Sequence, residues 1–388
     1  MFRRTTMVTL ALLLAVTLLA GCGGSASAPA SKSEQPAASK EPIKVGVVTS
    51  LTGPAAATGQ QVAAGVKLAA LEWNAKGGIN GRPIEVDVED DQYKPSDALN
   101  AYNKLSAQKP VAVFLPTFSQ LVMALEPNVK AAAIPHFTSA TGTVITKSGN
   151  PWFFRLRTND EIMGKLAVNY ALQDLKTKKP GLIYANNDYG KGGYEVIKGM
   201  LDKAGVALVD AEAFNTTDKD VSAQLLKLKK AGADLIISWS TPADSATIAL
   251  QQKQIGLGIP FLGSPGWGTK EFFDLVKGAA DGNSVLVDFV AGNDERTQKW
   301  VKAVQDNLKA TPPSFVVSSN YDGANILFNA IAKVGTAPDK LRGALLGTQN
   351  YAGITGTYSF DPAGNGLHQG VIAKIENNNL KVVKIVKE

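Results

Sequence analysis

Between Ile43 and Val290 the chain alternates short, nearly all-apolar runs with segments of helical periodicity, and it completes that series twice. In the first series Ile43 to Thr49, Ile84 to Asp90, Val111 to Leu115 and Ile134 to Thr138 are predicted strands. Helices are predicted near Gln60 to Asn74, Pro95 to Gln108 and Gln120 to Ala133. On the first helix Val62, Val66, Ala69, Ala70 and Trp73 recur at helical spacing, and Gly77-Gly78 closes it. The second series predicts strands at Gly181 to Ala185, Ala207 to Phe214, Leu235 to Trp239, Pro260 to Gly263 and Val285 to Val290. Its helices are predicted near Gly192 to Ala204, Val221 to Ala231 and Asp244 to Ile255. A strand that is apolar along its whole length is covered on both faces, which is the condition of a parallel sheet between two helical layers. Two such series predict an α/β chain of two similar lobes, each a mostly parallel sheet with helices on both faces.

The remainder departs from a simple tandem. Glu295 to Lys309 and Tyr321 to Lys333 are predicted helices. Gly356 to Phe360 and Gly370 to Ile375 are predicted antiparallel strands, with Lys381 to Val386 a last one after an Asn turn. Helices following the second sheet suggest that the chain returns to the first lobe before it ends.

The opening residues carry a different signal. Arg3 and Arg4 precede an uncharged Leu/Ala/Val run from Met7 to Ala20, too short to span a bilayer comfortably, and small residues follow it. Leu19-Ala20-Gly21-Cys22 resembles the lipobox of bacterial lipoproteins, and Cys22 is the single cysteine of the chain. The expectation is a signal peptide over 1–21, lipidation at Cys22, and a Ser/Ala/Pro/Lys/Gly-rich tether over 22–42 with little to bury. Membrane attachment is expected through that lipid anchor only. The formal net charge is +6, and two of those charges are Arg3 and Arg4. No Lys/Arg run is dense enough for a nucleic-acid track.

Catalytic signatures are sparse. The two histidines are His136, within an apolar strand and expected as a satisfied core residue, and His368, expected exposed beside a Gly-rich turn. No G-x-S-x-G, H-E-x-x-H or Walker loop occurs, and Gly53 and Gly59 are too far apart for a dinucleotide turn. Asp90-Asp91 is expected as a polar turn rather than a metal site. The expectation is a protein that is not an enzyme and has no cofactor or metal.

In open parallel sheets ligands sit beyond the carboxyl ends of strands, where loops feed helix N-termini. The loops after the third and fourth strands hold Pro116-Thr117-Phe118-Ser119 and Ser139-Ala140-Thr141-Gly142-Thr143. Small hydroxyls beside unpaired N–H groups suit a carboxylate, although such residues also cap ordinary helices. The second lobe offers Asn187-Asp188-Tyr189-Gly190, Ser240-Thr241-Pro242 and Ser264-Pro265-Gly266-Trp267 in the same places. Tyr189 and Trp267 are either ligand walls or core.

From Val45 to Val86 the sequence VGVVTSLTGPAAATGQQVAAGVKLAALEWNAKGGINGRPIEV resembles type I periplasmic binding proteins, in particular the leucine/isoleucine/valine-binding branch serving ABC importers. DDQYKPSDA from Asp90, NDYGKGG from Asn187 and AQLLKLKKAGADLII from Ala223 fit the same family, and the resemblance runs from Ile43 to the end. It implies three hinge crossings, placed near Thr158, Gly292 and Ala352, so that 43–158 plus 292–352 form one lobe and 159–291 plus 353–388 the other. It implies a carboxylate site at Thr117 with Ser119 nearby, further contacts from Ser139, Ala140 and Thr141, a closing Tyr189, and Thr58 where the family often places a ring. Thr241 and Trp267 complete the expected ligand-binding set. Pro265 aligns where amino-acid binders carry an acid for the ligand ammonium. Either Asp160, Asp188 or Asp244 therefore substitutes, or the ligand lacks an amine. SFDPAGNGLHQG from Ser359 and LGSPGW also resemble relatives that bind aromatic carboxylates such as hydroxycinnamates. The implied partners are a small ligand and the permease subunits of an importer, with the protein itself a monomer. A sensing subunit of a signalling complex is the alternative on the same fold.

Overall fold

The computed structural model describes residues 41–387 apart from 217, 293, 309 and 310. The expected signal peptide, Cys22 and all but the last two residues of the expected tether lie outside the described residues. The first sheet contains β1 (Ile43–Thr49), β2 (Ile84–Asp90), β3 (Ala112–Leu115), β4 (His136–Thr138) and β5 (Phe153–Arg155), in the order β2-β1-β3-β4-β5. All four pairings are parallel. Central β1 is buried at six of its seven residues, as expected of a strand covered on both faces.

Helices α1 (Ala56–Ala75), α2 (Pro95–Ser106), α3 (Ser119–Ala132) and α4 (Thr143–Lys147) connect these strands. At the end of α1 the Gly78 N–H bonds back to Trp73 O at 2.9 Å, with Gly77 and Gly78 both at positive φ. Asn80 and Gly81, also at positive φ, then form a two-residue turn that pairs Ile79 with Arg82 and aims the chain into β2.

After β5 the chain enters α5 (Asp160–Gln173) and builds the second sheet from β6 (Pro180–Ala185), β7 (Ala211–Phe214), β8 (Leu235–Trp239), β9 (Phe261–Gly263) and β10 (Ser284–Val287). The helices between are α6 (Asp188–Lys203), α7 (Ser222–Lys230), α8 (Pro242–Gln254) and α9 (Lys270–Val276), the last preceded by a single 3-10 turn at Pro265–Gly268. Then α10 (Glu295–Leu308), α11 (Phe315–Val334) and α12 (Pro338–Leu346) return to the first sheet. There α11 packs along α1 so closely that a Cβ on Gly65 would lie 2.4 Å from Val317 O, and Trp73 meets Phe328 edge-on at 6.0 Å.

A short hairpin, β11 (Tyr351–Ala352) with β12 (Thr357–Tyr358), precedes β13 (Gln369–Glu376) and β14 (Asn379–Lys387). Strand β13 pairs antiparallel with β10 and β14 antiparallel with β13, giving the order β14-β13-β10-β9-β8-β6-β7. The result is the two-lobe α/β architecture expected from the repeated series.

Several elements differ from the sequence expectation. Strands β5 and β11 and helices α4, α5, α9 and α12 were not expected, and α11 begins six residues before Tyr321. The third crossing, expected near Ala352, lies later. Arg155 N–H bonds to Gly364 O at 2.7 Å and Gly366 N–H to Arg155 O at 3.0 Å, so residues up to Leu367 stay on the free edge of β5. The phenyl ring of Phe360 packs edge-on against Phe154, 5.4 Å away. Edge strand β5 has unpaired backbone groups to satisfy, and this returning segment satisfies them before the chain passes into β13.

Candidate ligand-binding cleft

The carboxyl ends of β3 and β4 face those of β6, β8 and β9 across a cleft of about 520 Å³, its open mouth included. On the first wall Thr117 precedes α3, and its hydroxyl donates to Ser139 O at 3.2 Å. Ser119, the first residue of α3, accepts from Gly142 N–H at 3.0 Å. A Cβ on Gly142 would lie 2.6 Å from that serine oxygen, so only glycine lets the two loops approach this closely. Thr138 ties the same loops from beneath, donating to Pro116 O at 2.9 Å. The outcome is a rigid shelf on which Thr117, Ser119 and Thr141 line the cleft beside the first turns of two helices.

The facing wall carries Tyr189 from the first turn of α6, then Ser240, Thr241 and Pro242 after β8, and Pro265, Gly266 and Thr269 after β9. Burial, with the charge of Asp160 next in effect, raises the Tyr189 phenol well above its ordinary range. At neutral pH it is a neutral hydroxyl on an apolar ring, suited to covering a ligand. Phe118, Gln120, Phe315 and Val316 complete the lining.

One cation is part of the wall. Arg157 directs Nε to Asp288 Oδ2 at 2.7 Å, with Nη2 2.6 Å from the same oxygen, while Nη1 donates to Ser139 O at 3.3 Å. Its guanidinium lies 4.4 Å over the Phe315 ring. The pair stands where the crossings meet. Thr158 N–H donates to Asp288 Oδ1 at 3.1 Å, and the Thr158 hydroxyl donates to Gln369 O at 2.5 Å. The segments leaving β5, leaving β10 and entering β13 are thereby stitched together at the floor of the cleft. At the mouth the Thr58 hydroxyl donates to Glu271 Oε2 at 3.1 Å, joining α1 of one lobe to α9 of the other. On the opposite flank exposed Lys147 lies 3.6 Å from Glu195.

Of the residues expected from sequence, Thr58, Thr117, Ser119, Thr141, Tyr189 and Thr241 line this cleft. Three others do not. Ser139 and Ala140 are fully buried one layer behind, their carbonyls holding Thr117, Arg157 and Arg155. Trp267 is core: its 3-10 turn directs the indole inward between Phe261 and Phe272, with Nε1 donating to Ser238 Oγ at 3.1 Å. Arg157, Phe315 and Val316 were missed because β5 and the first turn of α11 were missed.

Of the acids proposed to replace the one absent at Pro265, Asp188 is exposed. Asp244 is buried but accepts from the Thr241 hydroxyl at 2.5 Å. Asp160 is buried with neither carboxylate oxygen hydrogen-bonded. His136 is a satisfied core residue, 2.9 Å from the Tyr102 hydroxyl. His368, expected exposed, is half-buried with Nε2 3.2 Å from Ser359 O. Among the described residues no group of three His, Cys, Asp or Glu is placed to hold a metal, and no helix is long and apolar enough to cross a membrane.

The family model described as periplasmic binding protein matches residues 42–379. A leucine-, isoleucine-, valine-, threonine- and alanine-binding protein of Pseudomonas aeruginosa is 27% identical over 328 residues, covering 83% of this chain and 87% of its own. The branched-chain amino acid transporter substrate-binding protein LivJ of Streptococcus pneumoniae, solved with isoleucine, superposes with a TM-score of 0.82 at 25% identity, covering 89% of this chain and all of its own. An R. palustris solute-binding protein solved with 4-hydroxybenzoate gives a TM-score of 0.82 at 20% identity, over 90% of this chain and 98% of its own.

Proposed function

The chain belongs to the periplasmic binding protein family, and from that membership we propose that it is the extracytoplasmic substrate-binding lipoprotein of an ABC importer, taking a small carboxylate-bearing hydrophobic amino acid. The observation that carries this reading is the opposition of two unlike walls. Thr117, Ser119 and Thr141 stand at helix N-termini on one lobe, and Tyr189 with Thr241 faces them from the other. Hydroxyls and free N–H groups at helix starts hold a carboxylate, while Phe118, Phe315, Val316 and Tyr189 give the side chain apolar cover. The relatives named for branched-chain amino acids favour that class. A ligand touching both walls stabilises the closed arrangement, because only a ligand with different affinity for the open and closed states shifts their balance.

Amine-free aromatic or aliphatic carboxylic acids are the second reading, favoured by Pro265 in the wall and by the Arg157 guanidinium. A thermal-shift screen of the protein without its first 40 residues separates the two. Phenylalanine is set beside phenylpropionate, and leucine beside isocaproate. At a hundredfold excess over Kd a true ligand adds about 2.7 kcal/mol of stability. A rise in Tm with the amino acids supports the first reading. A rise with the amine-free partners alone moves the protein to the second, and no rise with any of the four contradicts both.

The lobes in this reading are 43–158 plus 292–368 and 159–291 plus 369–388, hinged at the three stitched crossings. Attachment rests on the Cys22 lipobox. Cells labelled with radioactive palmitate should lose both lipid incorporation and membrane retention on Cys22→Ser, and retention without lipid in the parent protein would contradict the anchor.

A further inference from the structure

Asp160 is an acid that the fold leaves without a partner. It is the first residue of α5, and its backbone N–H donates to Thr141 O at 3.0 Å, which sets it directly behind the hydroxyl shelf. Its side chain is fully buried, and neither carboxylate oxygen has a hydrogen-bond partner. Helix capping does not use it, since the Asn159 side chain accepts the Ile162 N–H. The charges around it are Arg155 on β5, Arg157 on the first crossing and Asp288 on the second, with the Tyr189 phenol on α6. Both arginines are otherwise engaged: Arg157 with Asp288, and Arg155 with Asn365, Thr146 and the carbonyls of Ala140 and Gly142. Burial pushes the Asp160 carboxyl up to about 7, against the weaker pull of the two arginines and of the Thr141 hydroxyl, which stands nearby without completing a hydrogen bond. A buried acid without a partner is costly to keep, and such groups persist where a ligand completes them.

We infer that Asp160 is the counter-charge for an ammonium on the ligand, set one layer behind the cleft wall and acting across Thr141. The site then favours zwitterionic amino acids over amine-free acids of the same skeleton. This rests on the binding reading above and supplies the partner that Pro265 removes. Thr141, Arg157 and Tyr189 all line the cleft and all surround Asp160, so a cation seated against Thr141 comes within the field of that carboxylate. Asp244 and Glu271 are weaker choices, because each already has a hydroxyl partner, Thr241 or Thr58. Asp160 is a positioning residue in this scheme. Its protonation is coupled to the ligand: an ammonium favours the ionised form, so binding expels the proton that the empty site holds below about pH 7.

The test is calorimetric titration of the full folded protein with leucine and with isocaproate, at pH 5 to 8 and in buffers of different ionisation enthalpy. The scheme predicts proton release with leucine at pH 5 to 6.5, none at pH 8, and leucine affinity falling by up to about tenfold per pH unit below the carboxyl's pKa. Isocaproate should release no proton. Asp160→Asn should weaken leucine by roughly tenfold or more while narrowing the gap to isocaproate, with Asp160→Glu recovering part of the selectivity. Leucine binding without proton release, or selectivity lost in Asp244→Asn or Glu271→Gln instead, overturns the inference and leaves the binding reading intact. Because the proton measurement uses unmodified protein, it decides the matter even if the variants fail to fold. If neither ligand class binds the parent protein, the binding reading itself fails.

Discussion

Asp160 shows how a single residue separates stability from function here. A carboxyl whose pKa is raised on folding binds more protons folded than unfolded. Its stabilising protonated form is therefore fully present below about pH 4 and is lost as the pH rises through about 7. Asp160→Asn removes that penalty while keeping the side chain's size. In the absence of ligand the variant should be more stable than the parent at pH 7.5, by an amount on the order of 1 kcal/mol or more, and the advantage should vanish near pH 4. Thermal denaturation at the two pH values reads this out. A variant less stable at pH 7.5 would mean that the carboxylate is satisfied in the empty protein and holds the fold. Buried Asp322, also pushed up by burial to about 6, shows the contrast, since its carboxylate accepts the Ile354 and Thr355 N–H groups at 2.7 Å each and so has a structural task. At this scale the sequence led to most of the hydroxyls and to Tyr189, while it left Trp267 open between ligand wall and core. Thr117, Ser119 and Thr141 follow directly from where parallel strands end. Whether Trp267 turns inward depends on the Phe261 and Phe272 surfaces beside it, which no local pattern encodes.

At the scale of elements, what could be read from sequence was what is long or apolar throughout. Strands β1, β2 and β8 were expected at their observed limits, and α1 and α2 nearly so, because apolar periodicity and Gly or Pro boundaries mark them. The missed elements are short or balanced. Strand β5 is three residues long and ends on Arg155, a charged side chain whose burial depends on nearby Thr146 and on Asn365 far along the chain. Helix α5 opens on two acids, Asp160 and Glu161, the first of them buried among its apolar residues, and α9 is only seven residues. The missed β5 also hid Arg157, which follows it and lines the cleft, whereas Asp160 was named from the sequence without the helix that it opens. The third crossing was displaced for a related reason. The segment from Tyr351 to Leu367 has little regular structure of its own, and its place is fixed by the hydrogen bonds it lends to the edge of β5.

The whole molecule is organised around the floor where its three crossings meet. Arg157, Thr158, Asp288 and Gln369 bind those segments to one another, and in the proposed reading the lobes turn about this floor. Across the cleft the lobes touch through polar pairs, Thr58 with Glu271 and Lys147 with Glu195, and where α6 comes against α3 and α4, close enough that a Cβ on Gly192 would lie 3.1 Å from Thr143 Oγ1. An exposed pair such as Lys147 with Glu195 contributes at most about 1 kcal/mol. In the proposed reading closure is the work of a ligand touching Thr117 and Thr141 on one side and Tyr189 on the other. The most direct measurement of that claim is small-angle X-ray scattering of the protein without its first 40 residues, empty and saturated with whichever compound raises its Tm. The saturated protein should give a smaller radius of gyration than the empty protein. Identical profiles in the two states would contradict a ligand held between moving lobes.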